Sequence, residues 1–178
     1  MIDTPRLQLL PCAPVHFAAL LRHDLAELAG LLNVRPEPDW LRQDEVWDIL
    51  PQAERFRRKH PEAAAWWLYF FVHRTHKTLL GVGGFKGAPS ADGSVEIGYS
   101  IAPAFRQQGY ATEAVQGMLA HAFTQPGVRQ VLAHTLPQSN WSTHILQQAG
   151  FVFQREVADP TDGPAWRWAL PRTAYQSR

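Results

Sequence analysis

The stretch from residue 94 to residue 115, SVEIGYSIAPAFRQQGYATEAV, constrains the fold more tightly than any other part of the chain. Val95, Ile97, Tyr99 and Ile101 fall on alternate positions, with Glu96, Gly98 and Ser100 between them, which is the period of a strand. Pro103 has no N–H to give a sheet and ends the run. After the turn Arg106-Gln107-Gln108-Gly109-Tyr110-Ala111, the residues Ala111, Val115, Met118, Leu119 and Ala122 repeat at helical spacing. A strand that passes through a glycine-containing turn into a helix leaves the first helical N–H groups facing the turn without partners. Such a junction binds anions, phosphate above all. Gly109 lets the backbone come close to a ligand, and the small Ala111 leaves room behind it. Other phosphate motifs fit badly. There is no Gly-x-x-x-x-Gly-Lys-Ser/Thr, and Gly81-Val82-Gly83-Gly84 lacks the third glycine of a dinucleotide loop.

The chain of 178 residues predicts a single domain, and 46% apolar with 19% charged residues describes a globular core rather than a disordered segment. A net charge of +1 argues against nucleic acid as a partner, which demands a basic face. The basic run Arg55-Phe56-Arg57-Arg58-Lys59 reads as a solvated helix face. The single cysteine, Cys12, excludes an internal disulfide and fits a reducing compartment. It lies in a turn and reads as a small buried side chain rather than a nucleophile. No basic-then-apolar leader opens the chain, and no apolar run approaches the ~20 residues needed to span a bilayer. A cytoplasmic protein with no membrane partner is the expectation.

Residues 4–10 alternate as a first strand, and residues 15–32 carry Phe17, Leu20, Leu21, Leu25, Leu28 and Leu32 on one side of a predicted helix. Pro36 and Pro38 interrupt the helical pattern, and further helices are predicted over residues 40–50 and 51–65. Strands are predicted over 66–72, 78–85, 128–136, 151–157 and 165–170, with a frayed tail after about 171. His73 and His76, in the connection after the second strand, are two imidazoles with no cysteine or carboxylate close by, so no metal site is expected. Asn140 and Ser142 start a helix whose stripe is Ile145, Leu146 and Ala149, and Gly150 stops it.

The Arg-x-x-Gly-x-Ala turn after EIGYSI resembles the acetyl-CoA pyrophosphate loop of the GNAT N-acetyltransferase superfamily. The wider EIGY and GYATEA wording is similar to the branch of ribosomal-protein N-terminal acetyltransferases, the RimJ/RimL type. The run Asn140-Trp141-Ser142-Thr143, ending in Gly150-Phe151, resembles the same family's second signature. The resemblance implies an α/β acyl-CoA N-acyltransferase fold, with a mixed, mostly antiparallel sheet of about six or seven strands and helices on both faces. It implies acetyl transfer from acetyl-CoA to a primary amine by direct attack, the acceptor being a protein N-terminus or a small-molecule amine.

Carried over by position, the resemblance has main-chain groups near Ser100 and Ile101 pairing with pantetheine as an added strand. Amides of Arg106, Gln107, Gln108, Gly109, Tyr110 and Ala111 would hold the pyrophosphate, with the Thr112 hydroxyl beside them. Asn140 and Thr143 would touch the pantetheine arm, and Trp47, Trp66 and Trp67 would line the acceptor pocket. The attacking amine must lose a proton, and the departing thiolate needs a donor. Many family members supply that donor from a tyrosine whose position here is Leu146, so Ser142 is the candidate instead. Glu96, acting through water, and the imidazole of His134 are the candidate bases; an amine deprotonated in solution needs neither. Loss of turnover, leaving an acyl-CoA sensor, and use of another acyl-CoA remain alternatives, and the aromatic content is compatible with a homodimer.

Overall fold

The computed structural model of the chain describes residues 1–35, 40, 41, 47, 50, 54, 57–159 and 163–177. Its strands are β1 (Ile2–Asp3), β2 (Leu7–Pro11), β3 (Leu68–His73), β4 (Leu79–Phe85), β5 (Ser94–Ile101), β6 (Gln130–Thr135), β7 (Val152–Asp159) and β8 (Gly163–Pro171). They form one eight-stranded sheet in the order β1-β2-β3-β4-β5-β6-β8-β7. Every neighbouring pair is antiparallel except β5 and β6, which run parallel. The strand beyond the expected six or seven is β1, whose two residues are too short to show an alternating period.

The helices are α1 (Pro14–Leu21), α2 (Leu25–Leu32), α3 (Tyr110–Thr124), α4 (Trp141–Gln148) and α5 (Arg172–Gln176). Alternation in the strands divides the core in two. Leu9, Phe71, Val95, Ile97 and Ile101 pack beneath α3 and α4 with Val115, Met118 and Leu146. Phe70, Val72 and Val82 face the other way, toward Phe17, Leu20 and Leu28 of α1 and α2. No helix among the described residues is long and apolar enough to cross a membrane.

The single helix predicted over residues 15–32 is two helices. His23 adopts φ 55° after α1, its N–H bonds the Leu20 carbonyl at 2.7 Å, and the Asp24 N–H bonds Ala19 at 3.0 Å. That paired pattern is a Schellman stop. Asp24 then caps α2 by accepting from the Glu27 amide at 2.9 Å. Trp66 and Trp67 lie outside β3, as the last residue of a 3₁₀ turn over Pro61–Trp66 and the residue that follows it; their carbonyls accept from Gly87 and Phe85, so the chain joins the sheet there through irregular geometry. The helices expected over 40–50 and 51–65 lie largely outside the described residues.

The tail is not frayed. Arg172 opens α5 and folds its guanidinium under the end of α3, donating to the carbonyls of Phe123 at 2.7 Å, Gln125 at 2.5 Å and Val128 at 2.8 Å. A cation at a helix C-terminus satisfies orphan carbonyls and opposes the negative end of the dipole. Tyr175 packs on Phe123 with ring centroids 4.7 Å apart. Nothing in hydrophobic periodicity marks a lone arginine as an anchor. Replacing Arg172 by Ala is expected to lower unfolding stability by about 2 kcal/mol, read from urea denaturation.

Candidate active site

The site is built on a separation in the sheet. The β5–β6 register ends at Ile97↔Ala133, yet β5 continues to Ile101 and β6 to Thr135. Each keeps its other neighbour to the end, with Gly81↔Ile101 on one side and Thr135↔Trp166 on the other. The two parallel strands therefore part where they leave the ladder, opening a wedge between them.

Above the wedge lies the turn into α3. Pro103–Phe105 makes one 3₁₀ turn, Gln107 takes φ 61°, and Gly109 takes φ 81° as the residue before the helix. Gly109 offers no side-chain cap, and the first intrahelical bond seen there is Glu113 N–H to the Gly109 carbonyl at 3.0 Å. The start of α3 thus points main-chain amides toward the turn, the arrangement that favours an anion. The Arg106 guanidinium instead donates to the Ile101 carbonyl at 2.9 Å, so that oxygen, expected to meet pantetheine, already has a donor.

Beneath the turn is a cluster that periodicity does not reveal. Glu113 accepts from the Thr4 hydroxyl, the Arg6 main-chain amide and the Arg6 guanidinium, each at 2.6 Å. Arg6 also donates to the Gln108 carbonyl at 3.0 Å and lies 4.4 Å over the Tyr110 ring. A Cβ on Gly109 would stand 3.2 Å from the Arg6 guanidinium. Burial works against the Glu113 carboxylate, but the hydrogen bonds from Thr4 and Arg6 outweigh it and hold its pKa below the ordinary value. The only prior signal was Glu113 inside the GYATEA wording; Arg6, 107 residues away in sequence, gave none.

On the α1–α2 side of the wedge, Glu96 and His134 meet across β5 and β6, with Glu96 Oε1 3.0 Å from His134 Nδ1. The contact has ion-pair distance but not the alignment of a hydrogen bond. Lys86 Nζ sits 2.7 Å from the same carboxylate oxygen. The two candidate bases are therefore one group, with Nε2 left as the imidazole nitrogen not facing Glu96.

On the α3–α4 side, Asn140 Oδ1 accepts from the Thr143 amide and Thr143 Oγ1 accepts from the Asn140 amide, both at 3.0 Å. This reciprocal capping box gives both side chains a structural task and leaves the Asn140 Nδ2 amide as the donor not engaged in the box. Leu146 is buried in the core, and half-buried Ser142 lies in the first turn of α4. Gly150 has φ 90° and closes α4, with Phe151 N–H bonding the Leu146 carbonyl at 2.9 Å.

The tryptophans do not converge. Trp66 packs against Phe85 on the α3 side, with ring centroids 5.0 Å apart, whereas Trp47 and Trp67 pack into the α1–α2 cluster. Trp47 stacks on His23 at 4.4 Å. His73 Nδ1 accepts from the Thr75 and His76 amides, both at 3.2 Å, closing the hairpin. Burial pushes the Cys12 thiol pKa up, which keeps it protonated.

The acetyltransferase (GNAT) domain family matches residues 6–152. YjdG of Bacillus subtilis, an uncharacterized N-acetyltransferase, is 23% identical over 128 residues, covering 72% of this chain and 76% of the relative. Among solved structures, a chimera of the spermidine N-acetyltransferase SpeG from Vibrio cholerae superposes with TM-score 0.68 at 17% identity, covering 97% of this chain and 99% of the other. RimL, a ribosomal alpha-N-protein acetyltransferase solved with coenzyme A, gives TM-score 0.63 at 15% identity over 94% and 95% of the two chains. These two structural likenesses bear on fold alone.

A depressed carboxylate stabilises the fold above its unfolded pKa, and that stabilisation is lost as pH falls through the folded value. Glu113→Gln is therefore expected to lose about 1–3 kcal/mol near neutral pH and to approach the wild-type stability in acid, as read by denaturation at both pH values.

Proposed function

The chain belongs to the GNAT acetyltransferase family, and we propose that it moves an acetyl group from acetyl-CoA to a primary amine by direct attack. The observation that carries this reading is the parting of β5 and β6 at the end of β5 from which the chain turns into the uncapped start of α3. A phosphopantetheine arm laid in the wedge satisfies exposed strand groups along its length, while its pyrophosphate meets the amides from Arg106 to Ala111 and the Thr112 hydroxyl. That an acetyltransferase of this fold, RimL, is solved with coenzyme A supports coenzyme A as the class of ligand.

In this reading the amine attacks in its neutral form, His134 Nε2 takes the proton its nitrogen sheds as the amide forms, and Glu96 orients the ring and stabilises the imidazolium that results. The amine nitrogen attacks the thioester carbon, a main-chain amide of the separated β5 end receives the oxyanion, and the C–S bond breaks with its electron pair on sulfur. No acyl-enzyme intervenes, in keeping with a Cys12 thiol that stays protonated.

A peptide α-amine, whose pKa lies near 7.7–8.0, offers a neutral nucleophile near pH 7 far more often than a lysine-type amine near 10.4. That difference favours a protein N-terminus as acceptor, in line with the RimJ/RimL-like wording of the first motif. A non-catalytic acyl-CoA sensor is the second reading, supported by Leu146, which is buried and carries no donor.

Free-thiol release from acetyl-CoA over peptides with free N-termini, spermidine and an aminoglycoside tests the proposal. Turnover with a peptide amine is expected; CoA binding with no thiol release for any amine favours the sensor. Glu96→Gln and His134→Gln are each expected to lower kcat by about 10²-fold or more with CoA affinity unchanged. Gly109→Ala, which puts a Cβ on a left-handed residue, is expected to weaken CoA binding about tenfold, read by calorimetry.

A further inference from the structure

Resting on the acyl-transfer reading, we propose that the Tyr99 hydroxyl is the hydrogen-bond donor to the departing CoA sulfur. Tyr99 is two residues past the last register pair of β5 with β6, so it stands where the strands part. It shares a strand face with Ile97 and Ile101, and its ring packs against the cluster under α3 and α4. Its hydroxyl reaches α4, where it donates to the Ser142 carbonyl at 3.5 Å. A bond that long is at the outer limit of hydrogen bonding, so a closer acceptor entering the wedge captures the proton. The phenol thus meets the main chain of Ser142 in the first turn of α4, on the sheet face opposite the Glu96–His134 pair.

Burial pushes the Tyr99 phenol up to about 12, which keeps the donor proton in place throughout the neutral range. A thiol near 8.5 is the stronger acid. Tyr99 therefore shares its proton without surrendering it. As the C–S bond breaks, the electron pair settles on sulfur and the O–H···S bond strengthens; the proton that completes CoA-SH comes from water after release. This supplies the sulfur-side donor that buried Leu146 does not.

The test needs no acceptor. Bound CoA is titrated by its ultraviolet thiolate absorbance, with the desulfo-CoA complex as the blank for tyrosine ionisation. The wild-type midpoint is expected about one pH unit or more below that of Tyr99→Phe, because a bond to a charged sulfur is lost in the variant. Desulfo-CoA affinity and Tm are expected to agree between the two within about twofold and a few degrees, while CoA affinity falls behind in the variant as pH rises through the wild-type midpoint; a purely structural role for the hydroxyl does not predict that combination. Equal midpoints overturn the proposal, as does a midpoint moved by Ser142→Ala and not by Tyr99→Phe. Failure of the wild type to bind CoA at all is a separate result: it removes the acyl-transfer reading, and the Tyr99 proposal with it.

Discussion

The architecture depends on two parallel strands that separate without leaving the sheet. Opening a ladder exposes main-chain N–H and C=O groups, each costly to leave dry and unpaired. Here the cost is limited because β4 follows β5 to Ile101 and β8 follows β6 to Trp166, so only the inner edges open. Placing β8 between β6 and β7 provides that second support. A sheet ending at β6 would leave the parting strand with no neighbour on either side of its last residues.

The proposed binding of a pyrophosphate calls for an ordered turn before α3, and Glu113 ties that turn to the sheet. Its carboxylate collects the Thr4 hydroxyl and two donors of Arg6, and Arg6 in turn holds the Gln108 carbonyl. The shortest strand, β1, is thereby joined through Thr4 and Arg6 to the turn before α3. An acid in the first turn of α3 also suits the positive end of the helix dipole. Under the proposed reading, a turn already held by these bonds would need little ordering by the ligand, which lowers the entropy lost on binding.

What the residue pattern conveyed was the part governed by local period and turn chemistry. The strand at 94–101, the glycine junction, the α4 cap and the Gly150 stop all stand where alternation, helical spacing and capping put them. The break at His23 was hidden because the apolar stripe continues across it, and only a left-handed residue followed by a capping Asp24 divides the helix. Arg172, Arg6 and the shared Glu96–His134 group were hidden for another reason. Each acts through a long side chain on an element distant in sequence, and no local rule encodes such a partner. The three tryptophans mislead as a group, since neighbours Trp66 and Trp67 go to opposite faces of the sheet.

The same alternation orders the proposed chemistry. Glu96 and Tyr99 are three residues apart on β5, an odd spacing, so their side chains leave opposite faces of the strand. The proposed base therefore lies on the α1–α2 face and the proposed sulfur donor on the α3–α4 face. A thioester in the plane of the wedge would have its carbonyl carbon open to an amine from one side while its sulfur is held from the other. Attack and departure then occur across the sheet without either group turning, which is the geometry direct transfer requires.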